Sequence, residues 1–267
     1  MSTALRQALA DELLGAHRSG QPIDPLTARH PDLTLDDAYA IQLLQVASLT
    51  AAGGRIVGHK VGLTSQAMQE LLGVHEPDYG HLLDDMVHTD AGDGTMLDPA
   101  RFLQPRVEPE IGFVLGRRLV GPGITVEQAA DAVAWAVPAL EIVDSRIADW
   151  RIGLLDTIAD NASSGAVVMG PDRVPIHGLD LTAVECAMTC NGQLAGAGTG
   201  AAVMGSPLIV LAWLANTLGP RGVALEPGHV VIPRAVCAMI PVAAGDVVTA
   251  TFTGLGSVTA RFEADHA

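Results

Sequence analysis

The hydrophobic period of this chain changes once, close to Gly53 and Gly54, and that change limits the folds open to it. Before it, apolar residues recur at helical spacing: Leu5, Leu9, Leu13 and Leu14 predict a helix over residues 2–18 with Ser2 as its cap. A proline-containing link, "GQPIDPLTARHPDL", follows. Thr34 then caps a second helix through Tyr39, Ile41 and Leu44 towards Gly53, with Asp36 and Asp37 placed in its first turn where they complement the helix dipole. After the change the chain reads as short apolar strands punctuated by Gly, Pro, Asn and Asp.

In that second part "RIVGHKVG" and "RVEPEIGFVLG" are strand-like, and "SQAMQELLG" is a short helix capped by Ser65 and stopped at Gly73. "TVEQAADAVAW" carries the Thr125 and Gln128 spacing of a capping box and leads into the apolar strand "AVPALEIVDSRI". Hairpins are expected at Asn191-Gly192 and at Gly254 to Gly256. "SPLIVLAWLANTLG" is a helix begun by Ser-Pro and ended at Gly219; its surroundings are broken by Ser206, Pro207 and Asn216, so it reads as a core helix and not a membrane span. Strands that outnumber helices without regular alternation predict a mixed α+β fold. Residues 1–54 are expected to form a helical region packed on the core, and residues 55–267 the main domain, which carries the candidate metal and catalytic residues considered below.

Composition narrows the function classes. A formal charge of −15 disfavours nucleic acid or an anionic membrane as partner. Three cysteines, Cys186, Cys190 and Cys237, make no even framework and no CxxC pair. The first residues carry acids and lack a basic region and cleavage site, which predicts a cytoplasmic protein. "GAGTGAAVMG" is glycine-rich but lacks the dinucleotide fingerprint and a Walker lysine.

The chemistry-bearing residues are acids in apolar company. Glu108 and Glu110 are two apart on a strand and leave the same face, beside Ile111, Phe113, Val114 and Leu115. On a solvent-facing edge such a pair is ordinary. Glu141, however, lies inside "AWAVPALEIV", where an unpaired charge is costly. A cation that gathers all three explains them together, and oxygen-only ligation points to Mg²⁺ or Mn²⁺. "DTIADNASSG" crowds Asp160, Asn161, Ser163 and Ser164 into a turn that is either a structural knot or a cradle for a substrate carboxylate. "HEPDYGHLLDDM" offers His75, Asp78, His81, Asp84 and Asp85, read mostly as solvated loop residues with Asp78 a candidate pocket acid. Lys60, in "GHKVGLTS", is the only lysine against fourteen arginines.

The blocks "GHKVGLTSQAMQELLGVHEPDYGHL", "LQPRVEPEIGFVL", "PALEIVDSRIADW", "DTIADNASSG" and "AGDVVTATFTGLGSV" resemble the 2-keto-4-pentenoate (2-hydroxypentadienoate) hydratase family. It belongs to the fumarylacetoacetate hydrolase-like superfamily and includes the similar 4-oxalocrotonate decarboxylases. The resemblance implies a mixed-sheet, β-roll core and a divalent metal, Mg²⁺ or Mn²⁺, held by Glu108, Glu110 and Glu141. Lys60 and Asp78 are then the catalytic candidates, with Asn161 and Ser163 on the substrate. It also implies a homo-oligomer, pentamer or decamer, acting on a small 2-hydroxydienoate in the breakdown of aromatic compounds or steroids, with association to other pathway enzymes possible.

In the implied reaction a 2-hydroxy-2,4-dienoate ketonises with protonation at C5, and water adds at C4 to give a 4-hydroxy-2-oxoalkanoate. Lys60 supplies either charge or a proton. Two alternatives share these residues: decarboxylation of 2-oxo-3-hexenedioate, and a catalytically silent subunit that binds a partner enzyme. The form of "DTIADNASSG" favours the hydratase. One departure from the family pattern is "VVIPRAVCAMIPV", whose Arg234 is a candidate contact for the distal part of the substrate.

Overall fold

The computed structural model describes residues 1–62 and 77–264. The helix expected at Ser65–Gly73 and the candidate His75 lie outside the described residues. Helix α1 (Thr3–Ser19) starts where Ser2 Oγ accepts from Leu5 N and ends at left-handed Gly20. The proline-rich link contains one further turn, α2 (Leu26–Arg29). Helix α3 (Leu35–Ala51) opens with a reciprocal capping box between Thr34 and Asp37. Asp37 also takes the Arg6 guanidinium at 2.6 Å and the N-terminal ammonium at 3.2 Å, which ties α1 to the start of α3. Between these helices and the rest of the chain Leu9, Leu13, Leu26, Ala38 and Ile41 pack with Ile147, Ile158 and Ala159.

The remaining elements form two mixed sheets. The larger is eight-stranded. It holds β1 (Ile56–Gly62), β2 (Asp78–Leu83), β3 (Val87–Thr89), β5 (Arg106–Leu115), β6 (Val133–Val143), β7 (Ser164–Met169), β10 (Val230–Ile232) and β11 (Ile240–Pro241). Its path runs β2-β1-β10-β5-β6-β7-β3, with β11 added to β5. The five-stranded sheet contains β4 (Thr95–Leu97), β8 (Glu185–Cys190), β9 (Gln193–Thr199), β12 (Val247–Phe252) and β13 (Gly256–Phe262) in the order β4-β13-β12-β8-β9. Parallel pairs (β1 with β10, β3 with β7, β4 with β13) sit among antiparallel ones, which is the α+β arrangement the irregular strand spacing predicts.

Because side chains alternate along a strand, the large sheet has two distinct faces. Its back face sends Val107, Ile111, Phe113, Leu140, Ile142 and Val231 into one core with Val248, Ala250, Phe252, Val258, Ala260 and Phe262 of the small sheet. Burying each Val, Leu, Ile or Phe among them contributes roughly 1.5–3 kcal/mol before entropy is subtracted. The front face carries the polar residues described below.

Two element ends differ from the sequence expectation. The capping-box helix is only Val126–Ala132, because β-branched Val133 pairs with Leu115 and starts β6. The apolar helix is Pro207–Leu218, about 18 Å long at 1.5 Å per residue. Gly219 stays right-handed and the reversal falls to Gly222, φ 77°. The stretch Gly200–Arg221 is apolar enough to cross a membrane by composition, but its α-helical part is much shorter than the ~30 Å of a bilayer core and buries Leu211, Leu214 and Leu218. The hairpin at Asn191-Gly192 forms as expected, both residues being left-handed (φ 52° and 76°).

A polar staple crosses the back face. Gln42 of α3 donates to Tyr79 O at 3.0 Å and to Ile158 O at 2.8 Å, while its Oε1 meets His81 Nδ1 at 3.0 Å. His59 packs against His81 with ring centroids 4.9 Å apart, and neither of its ring nitrogens has a hydrogen-bond partner among the described residues. Burial, aided by His81 and His229, pushes the His59 pKa well below 6.5. The unfolded chain therefore binds a proton below about pH 6.5 that folded His59 refuses, so this residue's contribution to stability is lost as pH falls through that value. We predict that His59→Leu flattens the decline of the urea midpoint between pH 7 and pH 5 relative to the parent protein, since groups common to both proteins cancel in the comparison. An unchanged pH dependence would remove His59 from this account.

Candidate active site

Strand register assembles the front-face cluster. In the antiparallel pairing of β5 with β6, Glu108 stands directly opposite Glu141, and Glu110 stands opposite Ala139 one pleat further on. All three acids leave the same face, and one carboxylate oxygen of each lies within 4.8 Å of the others. Lys60 reaches the same face from β1, whose neighbour β10 lies beside β5. Its Nζ donates to Ala162 O at 3.0 Å and lies 3.1 Å from Glu141 Oε1. The latter is a charge contact without hydrogen-bond direction, because neither Glu141 oxygen has a hydrogen-bond partner among the described residues. Asp78 opens β2 opposite Gly62, where a side chain in place of the glycine hydrogen would collide with its Oδ1. Lys60 is 4% exposed, Asp78 2%, Glu141 1% and Glu110 0%, so these charges meet one another and little water.

The electrostatics follow from that burial. Desolvation, then the charge of Glu141, pushes the Glu108 carboxyl up to about 7, against the pull of Lys60. Glu110 is driven well above its ordinary value by burial and by both other acids. Burial raises Asp78 to about 6, with Lys60 opposing. For Lys60 burial acts to lower the pKa, but Glu141, Glu108, Asp78 and Glu110 together hold it above the ordinary lysine value, so it is an ammonium here. One ammonium does not satisfy this many acids. Glu110 Oε1, both Glu141 oxygens and Asp78 Oδ1 are buried without a hydrogen-bond partner among the described residues, each a penalty on the order of several kcal/mol if ionised. Carboxylate oxygens converging from Glu108, Glu110 and Glu141, with those of Glu110 and Glu141 orphaned among the described residues and oxygen as the only donor type, fit a hard divalent cation of the Mg²⁺ or Mn²⁺ kind.

The turn after the helix Leu154–Ala159 supplies the carbonyl that meets Lys60. Asn161, Ala162 and Ser163 are all left-handed (φ 51°, 53° and 53°), a conformation costing roughly 1–2 kcal/mol per residue away from glycine. Glycine at position 80, the cross-strand partner of Lys60, leaves room for this turn: a side chain there would collide with Asn161 O. Ser163 reaches Thr157 Oγ1 at 3.1 Å, and Ser164 Oγ is buried without a hydrogen-bond partner among the described residues.

Of the residues singled out in the sequence, Lys60, Asp78, Glu108, Glu110 and Glu141 come together, and Ser163 sits beside the carbonyl that holds Lys60. Asn161 corrects the sequence reading. Its Oδ1 accepts from His81 N at 2.8 Å and its Nδ2 donates to His81 O at 2.9 Å, so its amide braces β2 instead of being free for substrate. Arg234 lies half-buried at the rim, where its backbone N–H donates to Glu110 Oε2 at 2.7 Å and its guanidinium donates to Ala202 O at 2.8 Å. His81 is a second correction: it is a buried strand residue and not a solvated loop residue, because β2 pairs with β1 along its whole length. Asp84 does lie near the surface, holding Arg55 at 3.0 Å.

Sequence reading missed Arg146 and the Ala162 carbonyl. Arg146 is buried and paired with Asp160, whose carboxyl burial raises to about 6 against the lowering effect of Arg146. An arginine at the end of the apolar run "ALEIVDSRI" was the available signal; a backbone carbonyl leaves none.

Comparison with known proteins places this geometry. Residues 59–263 match the fumarylacetoacetate (FAA) hydrolase C-terminal family. The chain is 44% identical over 250 residues to the 2-hydroxyhexa-2,4-dienoate hydratase of Comamonas testosteroni, covering 94% of each. It is equally 44% identical to the 2-keto-4-pentenoate hydratase of Paraburkholderia xenovorans (strain LB400), over 100% of this chain and 98% of that one. Among solved structures, 4-oxalocrotonate decarboxylase from Pseudomonas putida G7, complexed with magnesium and adipate, superposes with a TM-score of 0.93 at 35% identity over 98% of both chains. Matched by the family over residues 59–263 and by its relatives over nearly the whole length, the chain belongs to the fumarylacetoacetate (FAA) hydrolase C-terminal family, and within it to the group of 2-keto-4-pentenoate hydratases and 4-oxalocrotonate decarboxylases.

Proposed function

We propose that this chain is a hydro-lyase that adds water to 2-hydroxypenta-2,4-dienoate, or to a substituted 2-hydroxy-2,4-dienoate, giving a 4-hydroxy-2-oxoalkanoate. The observation that carries the reading is the buried cluster of Glu108, Glu110 and Glu141 with Lys60 at 3.1 Å; its likeness to hydratases at 44% identity over nearly the whole chain specifies the reaction. Glu108, Glu110 and Glu141 would hold Mg²⁺ or Mn²⁺, and that ion would supply Lewis-acid stabilisation of negative charge on the substrate.

The remaining chemistry belongs to the chain's own side chains. Among the described residues the Lys60 ammonium donates only to Ala162 O, with Glu141 a charge contact at 3.1 Å. Lys60 is therefore assigned to an anionic substrate as fixed positive charge. Asp78, whose pKa burial raises to about 6, is the group assigned to take the proton of the water attacking C4 and to return it to C3 of the enolate that forms. Ser163 is assigned to the substrate, and Arg234, bonded through its amide to Glu110, to the distal part of the substrate. The enzyme is soluble and works, in this reading, in the cytoplasm as a pentamer or decamer. Exposed Leu35, Leu43 and Leu49 on α3 and Leu194 on β9 support an oligomer.

One observation favours decarboxylation of 2-oxo-3-hexenedioate as the second reading, namely the close superposition on a decarboxylase. The higher identity to hydratases decides for hydration. With Mg²⁺ present, purified enzyme is expected to consume 2-hydroxypenta-2,4-dienoate and to place one oxygen from H₂¹⁸O at C4 of the product. Release of CO₂ from 2-oxo-3-hexenedioate with no hydration of the pentadienoate would overturn the reading. As a base, Asp78 must be ionised, so kcat/KM is expected to fall as pH drops through about 6. Asp78→Asn is expected to lower kcat at least 100-fold at saturating Mg²⁺; an Asp78→Asn enzyme with full activity would assign the proton elsewhere.

A further inference from the structure

We propose that Arg146 is a positioning residue of this site, acting through Asp160 and Ser164 to keep the Ala162 carbonyl on Lys60. Four donors of one arginine grip the turn on both sides of its three left-handed residues. Before them, the Arg146 backbone N–H donates to Asp160 Oδ2 at 3.0 Å, Nε donates to Asp160 Oδ1 and Nη2 to Asp160 O. After them, Nη1 donates to Ser164 O at 2.8 Å. Asp144 N adds a bond to Ser163 O at 2.8 Å, and Asn161 fastens the far side to β2 through His81.

The bracket is needed because, of the three, only Asn161 tolerates the left-handed conformation readily, while Ala162 and Ser163 have no intrinsic preference for it. Relaxation of any one of them would swing the Ala162 carbonyl away from Lys60 Nζ, which it accepts from at 3.0 Å. Lys60 would then lose the neutral partner that fixes its direction against Glu141. Among the described residues Arg146 makes no bond to the three glutamates or to Lys60, and its four donors all go to the turn. Only a planar, forked cation serves two carbonyls and a carboxylate at once, so a lysine in its place keeps the charge and loses the bracket.

The inference rests on the hydratase reading for its kinetic arm only. Arg146→Lys is compared with the parent and with Arg146→Lys/Ala162→Gly, all loaded with Mg²⁺, by kcat and KM on 2-hydroxypenta-2,4-dienoate and by hydrogen exchange of the 160–164 amides. We expect Arg146→Lys to lower kcat at least tenfold with KM changed less than threefold. Exchange of the 160–164 amides should quicken at least tenfold while β5 amides stay as slow as in the parent. Ala162→Gly in that background should restore kcat at least threefold, because glycine enters the left-handed region without steric cost. A kcat within twofold of the parent, or a loss that Ala162→Gly leaves unrelieved, overturns the proposal. If Arg146→Lys does not fold, Asp160→Asn, alone and with Ala162→Gly, carries the same comparison and the same outcomes. If the parent turns over no dienoate, the hydratase reading fails, and unaltered 160–164 exchange in the variant would then overturn the positioning role by itself.

Discussion

The antiparallel register that sets Glu108 opposite Glu141 governs the rest of this structure. Like charges facing each other across a strand pair are unfavourable even on a surface, and here two of the three acids are fully buried. Burial and mutual repulsion raise the pKa values of Glu108 and Glu110, and Lys60 offsets part of the charge. The remainder is a standing demand for positive charge. A fold driven only by stability would have filled these front-face positions with Val or Leu, as it does on the back face.

The two faces divide the labour of the large sheet. The back face makes the apolar contact with the small sheet and holds the register rigid. Rigidity there is what allows an expensive arrangement on the front, where Gly62 and Gly80 give up side chains so that Asp78 and the left-handed turn can approach the backbone. Lys60 is where these constraints meet. It touches the acid cluster through Glu141 and the strained turn through Ala162, so its direction reports on both. Arginine, wider and planar, has no comparable place between a carboxylate and a single carbonyl, which gives the lone lysine among fourteen arginines a physical reason.

Much of this was legible in the sequence because the signals were local. The Thr34 cap, the capping box at Thr125, the Asn191-Gly192 hairpin and the acids embedded in apolar runs each depend on neighbours a few residues away. What escaped was long-range. The alternation that buries His81 required knowing that β2 pairs with β1, and the end of the helix at Ala132 required knowing that Val133 pairs with Leu115. Asn161 was read as a donor for substrate because its type suits that task; its amide is instead engaged by a strand 80 residues away in sequence. The Arg146–Asp160 pair spans 14 residues and joins a strand end to a turn, a closure no periodicity reports.

The central claim is that Glu108, Glu110 and Glu141 form a cation site whose charge the fold leaves open. Titration of the purified protein with Mn²⁺, following the free ion by electron paramagnetic resonance, tests it most directly. One ion bound per chain, with affinity lowered at least tenfold by the near-isosteric Glu141→Gln, is the predicted result. Absence of Mn²⁺ uptake by the parent protein, or uptake unchanged in Glu141→Gln, would contradict it.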